Sequence, residues 1–234
     1  MQAQEEVSAE DYLFRLWPWL EANAKRLAFG AALAVIAIFV FTFYTYRQNQ
    51  REIAAGEALT QANLSDTGAQ LAAACLKIAA DYAGTAAAQR ARLQGATVLF
   101  ITGKYADAQT QFQMFLDAYP DSFFTAQATL GLASSLDALG KTDQAVSAYQ
   151  RASNQTSDLN AALNAKFSLA RIDEAQGKLA EAQRLYGEVA RTFGNSSLGS
   201  EAGLRAMDLT ARLPKAPATP APAPAASVPF NLSK

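Results

Sequence analysis

Gly103-Lys104-Tyr105-Ala106-Asp107-Ala108 recurs as Gly140-Lys141-Thr142-Asp143-Gln144-Ala145 and again as Gly177-Lys178-Leu179-Ala180-Glu181-Ala182, each copy 37 residues after the one before. Seven residues before each glycine stands an alanine (Ala96, Ala133, Ala170), and nine after it an aromatic (Phe112, Tyr149, Tyr186). A worn copy lies upstream, with Asp66 and Tyr82 each 37 residues before Gly103 and Tyr119. The glycine supplies a helix C-terminal turn. The small residues, Ala108, Ala145 and Ala182 among them, let antiparallel helices approach, and the aromatic plugs the groove between pairs. One such hairpin cannot bury its own apolar face, so several must stack. The expected fold is all-α, an α-solenoid of about four helix hairpins over residues 68–213, closed by a capping helix from Leu198 to Leu213.

Working outward, Leu27 to Tyr46 is a run of 20 residues without a charge, between Arg26 and Arg47. At about 1.5 Å per residue it makes a helix about 30 Å long, the thickness of a bilayer's hydrocarbon core. A soluble core helix seldom stays apolar on all sides for this length. A signal peptide has a shorter run ending in small residues, whereas this one ends Phe43-Tyr44-Thr45-Tyr46-Arg47. We therefore expect one uncleaved transmembrane helix at 27–46, a tail at 1–26 and a helical connector at 47–67 running on to about Asn63. In the tail, Ser8 and Asp11 fit a capping box. Tyr12, Leu13, Leu16, Trp17 and Leu20 fall on one helix face, and Pro18 is expected to kink or restart that helix. Trp17 and Trp19 at one end of the span and Tyr44 and Tyr46 at the other are candidate membrane-interface residues. Gly30 and Ala34 form a small-xxx-small pair. Arg15, Lys25 and Arg26 outnumber Arg47 and Arg51, which leans toward a cytoplasmic N-terminus. At the far end, six prolines between Pro214 and Pro229 alternate with alanine, so 214–234 is expected to be a disordered, polyproline-type tail. Its close, Val228-Pro229-Phe230-Asn231-Leu232-Ser233-Lys234, has the composition of a short docking peptide.

Composition narrows function by exclusion. Residues 47–234 carry 17 Lys and Arg against 16 Asp and Glu, so no broad field recruits nucleic acid. The chain has no histidine and one cysteine. That removes the commonest general base and metal ligand and any thiolate cluster, and leaves Cys75 as a small buried hydrophobe. No catalytic, cofactor-binding or metal-binding residue stands out, no Gly-rich phosphate loop is present, and an enzyme is not expected.

At the repeat residues the chain resembles the tetratricopeptide repeat, whose consensus places a small residue, then Gly, Ala and an aromatic at these spacings, over about residues 68–212. Departures are the 37-residue period, with long turns such as Ala118-Tyr119-Pro120-Asp121-Ser122; Asp173 at a usually bulky position; and Gly194, where the consensus has proline. Projected on such hairpins, a candidate peptide-binding groove takes Arg90, Thr97 and Phe100 from one helix, Gln127, Ser134 and Asp137 from the next, and Asn164, Arg171 and Glu174 from the third. The carboxylate clamp of some tetratricopeptide domains is not matched, because Leu93 and Thr97 stand at its first two positions. Arg171 and Glu174 read either as peptide contacts or as an ordinary solvated i, i+3 pair. Phe123 and Phe124 cannot both face one core, so one is a candidate client contact, with burial against the neighbouring turn as the alternative.

Tail, single span and small repeat domain together are similar to the ancillary subunit family of the bacterial SecYEG translocon, with Leu20 to Gly30 entering the span and Tyr46-Arg47 leaving it resembling that family's anchor. The resemblance implies a bacterial inner-membrane protein with periplasmic repeats. Its partners would be translocon subunits, periplasmic chaperones or exported clients, with no small-molecule substrate or cofactor. Two other readings stay open: a receptor with its repeats in the cytosol, and a scaffold of envelope assembly.

Overall fold

The computed structural model describes residues 9–155 and 157–213, with side chains from Trp17 onward. The capping box at Ser8, the faces of Tyr12, Leu13 and Leu16, and the tail 214–234 lie outside that description. The described residues form nine helices and no strand. The first, α1, runs unbroken from Ala9 to Ser65, 57 residues in all. At the rise of an α-helix that is a rod about 85 Å long. Pro18 lies inside it, and the helix does not restart there. A proline removes one backbone hydrogen bond and crowds the preceding turn, a cost of about 3 kcal/mol; the turns on either side keep their ladders and carry the helix through. Every residue from Leu27 to Tyr46 is exposed, and this stretch is long and apolar enough to cross a membrane. Its two threonine hydroxyls are satisfied internally, Thr42 donating to the carbonyl of Ile38 (2.6 Å) and Thr45 to that of Thr42 (2.9 Å), the back-bonding usual for threonine in a helix.

The chain divides into two compact units, 1–104 and 105–234. In the first, the far half of α1 packs with α2 (Gly68–Asp81) and α3 (Ala86–Ile101). The worn upstream copy is thus a real helix pair. Ala55 and Ala62 of α1, Ala72, Ile78 and Ala79 of α2, and Ala91 of α3 are buried, with Leu59, Leu71 and Tyr82 around them. Small side chains permit this closeness, and Gly95 shows the limit: a Cβ there would stand 3.0 Å from Leu76 Cδ2. Cys75 is fully buried, and burial, with Asp66 adding, pushes its thiol above the ordinary value, away from reactivity. Thr85 caps α3, its Oγ1 accepting from the N–H of Ala88 (3.0 Å), which satisfies one of the free donors of the first turn.

In the second unit α4 (Tyr105–Ala118), α5 (Thr125–Ala138), α6 (Thr142–Ser153), α7 (Leu159–Ala175), α8 (Leu179–Thr192) and α9 (Ser197–Arg212) each pack on the next in sequence. The repeated glycines behave alike wherever they fall. Gly103, Gly140 and Gly177 have φ of 79°, 72° and 76°. This left-handed conformation costs a residue with a Cβ about 1 kcal/mol or more. The lysine after each donates its N–H back to the helix, Lys104 to Leu99, Lys141 to Leu136 and Lys178 to Asp173, at 2.8 to 2.9 Å. This is the Schellman arrangement, which commonly adds an apolar contact between the two residues so joined. At Asp173 that contact is replaced by charge, Lys178 Nζ lying 3.6 Å from Asp173 Oδ1, which accounts for an acid at a bulky position. Gly194 is not left-handed; the glycine its turn requires is Gly199, where a Cβ would run into the Phe193 carbonyl. The plugs Phe112, Tyr149 and Tyr186 are all buried.

Candidate functional site

The projected groove residues fall in both units. In the first, Arg90 is exposed, Phe100 is half-buried, and the Thr97 hydroxyl is turned onto its own helix, donating to the carbonyl of Leu93 (2.9 Å). In the second, the six positions on α5 and α7 share a face stitched by hydrogen bonds and ion pairs. Tyr149, the plug on α6, donates its hydroxyl to Ser134 Oγ (3.3 Å). Asp137 on α5 pairs with Arg171 on α7. Glu174, one turn along α7, accepts from the Tyr186 hydroxyl (3.2 Å) and receives Arg205 (3.5 Å) and Arg212 (3.4 Å) of α9. The i, i+3 pairing of Arg171 with Glu174 that the spacing permits is therefore not the one adopted. Each instead reaches a neighbouring helix, where a partly buried carboxylate finds a guanidinium.

Arg205 is held from its other side as well, its guanidinium 5.8 Å over the Tyr186 ring and 6.0 Å over that of Phe167. Both separations fall in the range of cation–π attraction. Burial pushes the Tyr186 hydroxyl up to about 12, so it remains a neutral donor to Glu174. Ion pairs thus join α5 to α7 through Asp137 and Arg171, and α7 to α9 through Glu174 with Arg205 and Arg212. What the face leaves open are the exposed amides of Gln127 and Asn164, the latter donating to its own helix at Asn160 (2.8 Å).

A second polar cluster, not foreseen from the spacing, lines a cleft of about 520 Å³ among α6, α7 and α8. Lys166 Nζ lies 2.8 Å from Glu188 Oε2, and Arg184 pairs with both Glu188 and Glu181. The Lys166 hydrogen bond holds the Glu188 carboxyl below its usual range, and Arg184 does the same for Glu181. Carboxyls kept ionised in this way do not serve as general acids at neutral pH. Among the described residues no group of three or more His, Cys, Asp or Glu is placed to hold a metal ion.

The apolar candidates separate clearly. Phe123 is 73% exposed and Phe124 half-buried, their rings edge to face at 5.5 Å in the turn between α4 and α5. Leu204 and Met207 on α9 are exposed as well, an apolar pair at i, i+3 spacing. Trp17, Trp19, Tyr44 and Tyr46 are all exposed on α1. Counted along the helix axis, Trp17 stands about 15 Å before Leu27.

With this geometry in view, comparison with protein-family models matches residues 18–158 to the model described as tetratricopeptide repeat-like domain. The matched span opens inside α1, ahead of the apolar run, and takes in the helices through α6. No curated protein matches the sequence.

Proposed function

Because the chain belongs to the tetratricopeptide repeat-like domain family, whose repeats are protein–protein interaction scaffolds, we propose that it is a membrane-anchored scaffold for protein partners. The carrying observation is the sharp change along α1. None of the described residues covers Leu27 to Tyr46, and packing against the repeats begins at Gln48, two residues beyond. Exposing that much apolar surface to water is untenable, whereas a bilayer solvates it.

The finer reading places the anchor in a bacterial inner membrane with the N-terminus cytoplasmic and the repeats periplasmic, passing exported chains from the Sec translocon to chaperones. The resemblance of the anchor to the translocon's ancillary subunit family and the excess of cations before the span support it. Exposed Phe123 and the amides of Gln127 and Asn164 are its proposed client contacts. The test is photocrosslinking in cells from a reactive residue at Phe123, with a second at Trp17. Exported proteins or periplasmic chaperones at Phe123 together with translocon subunits at Trp17 are the expected result; capture of neither removes the export role.

A second reading, a receptor with cytosolic repeats, draws on how nearly the flanking cations balance, three before the span against two after it. Protease added to intact cells with a permeabilised outer membrane digests the repeats in the first reading and spares them in the second.

A further inference from the structure

Three consecutive contacts tie α1 to the turn between α2 and α3 just past the apolar run. Gln48 Nε2 donates to the carbonyl of Gly84 (3.4 Å), and the Arg51 guanidinium to the carbonyl of Asp81 (3.4 Å). The Glu52 carboxylate grips two N–H groups of the first turn of α3, Oε2 accepting from Ala86 (2.7 Å) and Oε1 from Ala87 (2.8 Å). Those N–H groups have no intrahelical partner, and the positive end of a helix dipole favours an anion. Glu52 supplies both needs from a position 34 residues away.

The clasp fixes a depth. α1 is continuous, so Gln48 lies about 3 Å beyond Tyr46 along its axis and Glu52 about 9 Å. A bilayer's polar layer extends about 5–7 Å on each side beyond its hydrocarbon core. Gly84, held at Gln48, therefore shares the level of the headgroups, and the first turn of α3, held at Glu52, stands just above their outer edge. The tip of the turn suits that layer. Ala83 and Gly84 are exposed and uncharged, and Arg47 and Arg51 beside them present cations near phosphate height.

We propose that the tip of the α2–α3 turn, Ala83 and Gly84, rests in the headgroup layer, so that the lipid surface is itself one of the surfaces the repeat domain binds. The proposal rests on the membrane reading of α1, and its test separates the two. In the full chain carrying Cys75→Ala and reconstituted in phosphatidylcholine–phosphatidylglycerol vesicles, nitroxides are placed singly at Ala83→Cys, Ser65→Cys and Ala37→Cys. Relaxation by nickel chelated on lipid headgroups is expected to be several-fold stronger at residue 83 than at 65, with residue 37 showing the oxygen-rich, nickel-poor signature of hydrocarbon. Equal relaxation at 83 and 65, with 37 in hydrocarbon, overturns the placement alone. A water-like signature at 37 overturns the membrane reading and the placement with it. Adding Glu52→Ala is expected to bring the value at 83 down toward that at 65 with helicity retained; an unchanged value overturns the role of the clasp.

Discussion

The Phe112 ring of α4 points its tip at Gly131 of α5, so close that a Cβ on residue 131 would stand well inside 3.0 Å of three ring carbons. The plug and the missing side chain are one device, since Phe112 is buried only because α5 offers no atom there. Gly131→Ala gains about 1 kcal/mol of helix propensity but must displace a buried ring, which costs about 1–3 kcal/mol and leaves a net loss. Chemical denaturation reads the sign, and a stabilised variant would contradict this packing.

Gly187 offers the opposite case. It sits within α8 with nothing within 4 Å of its would-be Cβ. Gly187→Ala is therefore expected to stabilise by about 0.5–1 kcal/mol. At Gly140 and Gly177, both left-handed, the same change strains the turn and is expected to destabilise by about 1 kcal/mol or more. Melting temperatures of the three single variants should therefore split in direction.

Tyr186 ties stability to alkaline pH. Its folded-state hydroxyl titrates at about 12, above the ordinary value of 10.0, because burial disfavours the phenolate. A group raised in this way contributes fully below its unfolded value, and the contribution disappears as pH climbs from about 10 toward about 12, a loss of at most about 3 kcal/mol. Tyr149, raised by burial as well, adds in the same direction. Tyr186→Phe should flatten the fall in stability across that alkaline range while removing the hydrogen bond to Glu174; an alkaline limb identical to the parent's would show that Tyr186 is not its source.

Asp137 and Arg171 are a part-exposed pair on the polar face. A double-mutant cycle with Asp137→Asn and Arg171→Gln should give a coupling of about 0.5–1 kcal/mol, weakening as salt rises. Coupling indifferent to salt would point to packing instead of charge.

Phe123 and Phe115 make a control for the client contact. Phe115 is fully buried, whereas Phe123 is exposed. Phe115→Ala should cost about 3–5 kcal/mol, while Phe123→Ser should change stability by only about 0.5 kcal/mol or less. If Phe123 meets partners, Phe123→Ser lowers crosslinking yields to its neighbours at unchanged melting temperature.

The turn glycines and the aromatic plugs are legible in the sequence because each acts within a few residues, through a φ angle or a helical spacing that recurs at a fixed period. The apolar run is legible for a similar reason, since twenty uncharged residues in a row need no partner to be recognised. The Glu52 clasp is not, because a carboxylate capping a helix 34 residues downstream carries no local signature. Likewise Arg171 and Glu174 stand in register for each other yet are drawn off by Asp137 and by Arg205 and Arg212, charges whose nearness exists only after the helices pack. Which of Phe123 and Phe124 faces outward depends on how the chain turns after Tyr119, where Thr125 Oγ1 donates to the carbonyls of Ser122 (2.7 Å) and Pro120 (3.1 Å). Adjacent identical residues give no hint of that.

An unbroken α1 makes angular position countable. Each residue advances the helix by about 100° and about 1.5 Å, so, with α1 anchored as proposed, the stretch from Tyr46 to Glu52 sets the compass bearing of the first repeats around the helix axis as well as their height. Inserting a single residue there would swing them by more than a quarter turn, while seven would restore the bearing almost unchanged about 10 Å higher. Under the proposed anchoring, a partner touching the span and a partner touching those first repeats would be kept at a constant angle to each other, with the helix acting as an axle between them.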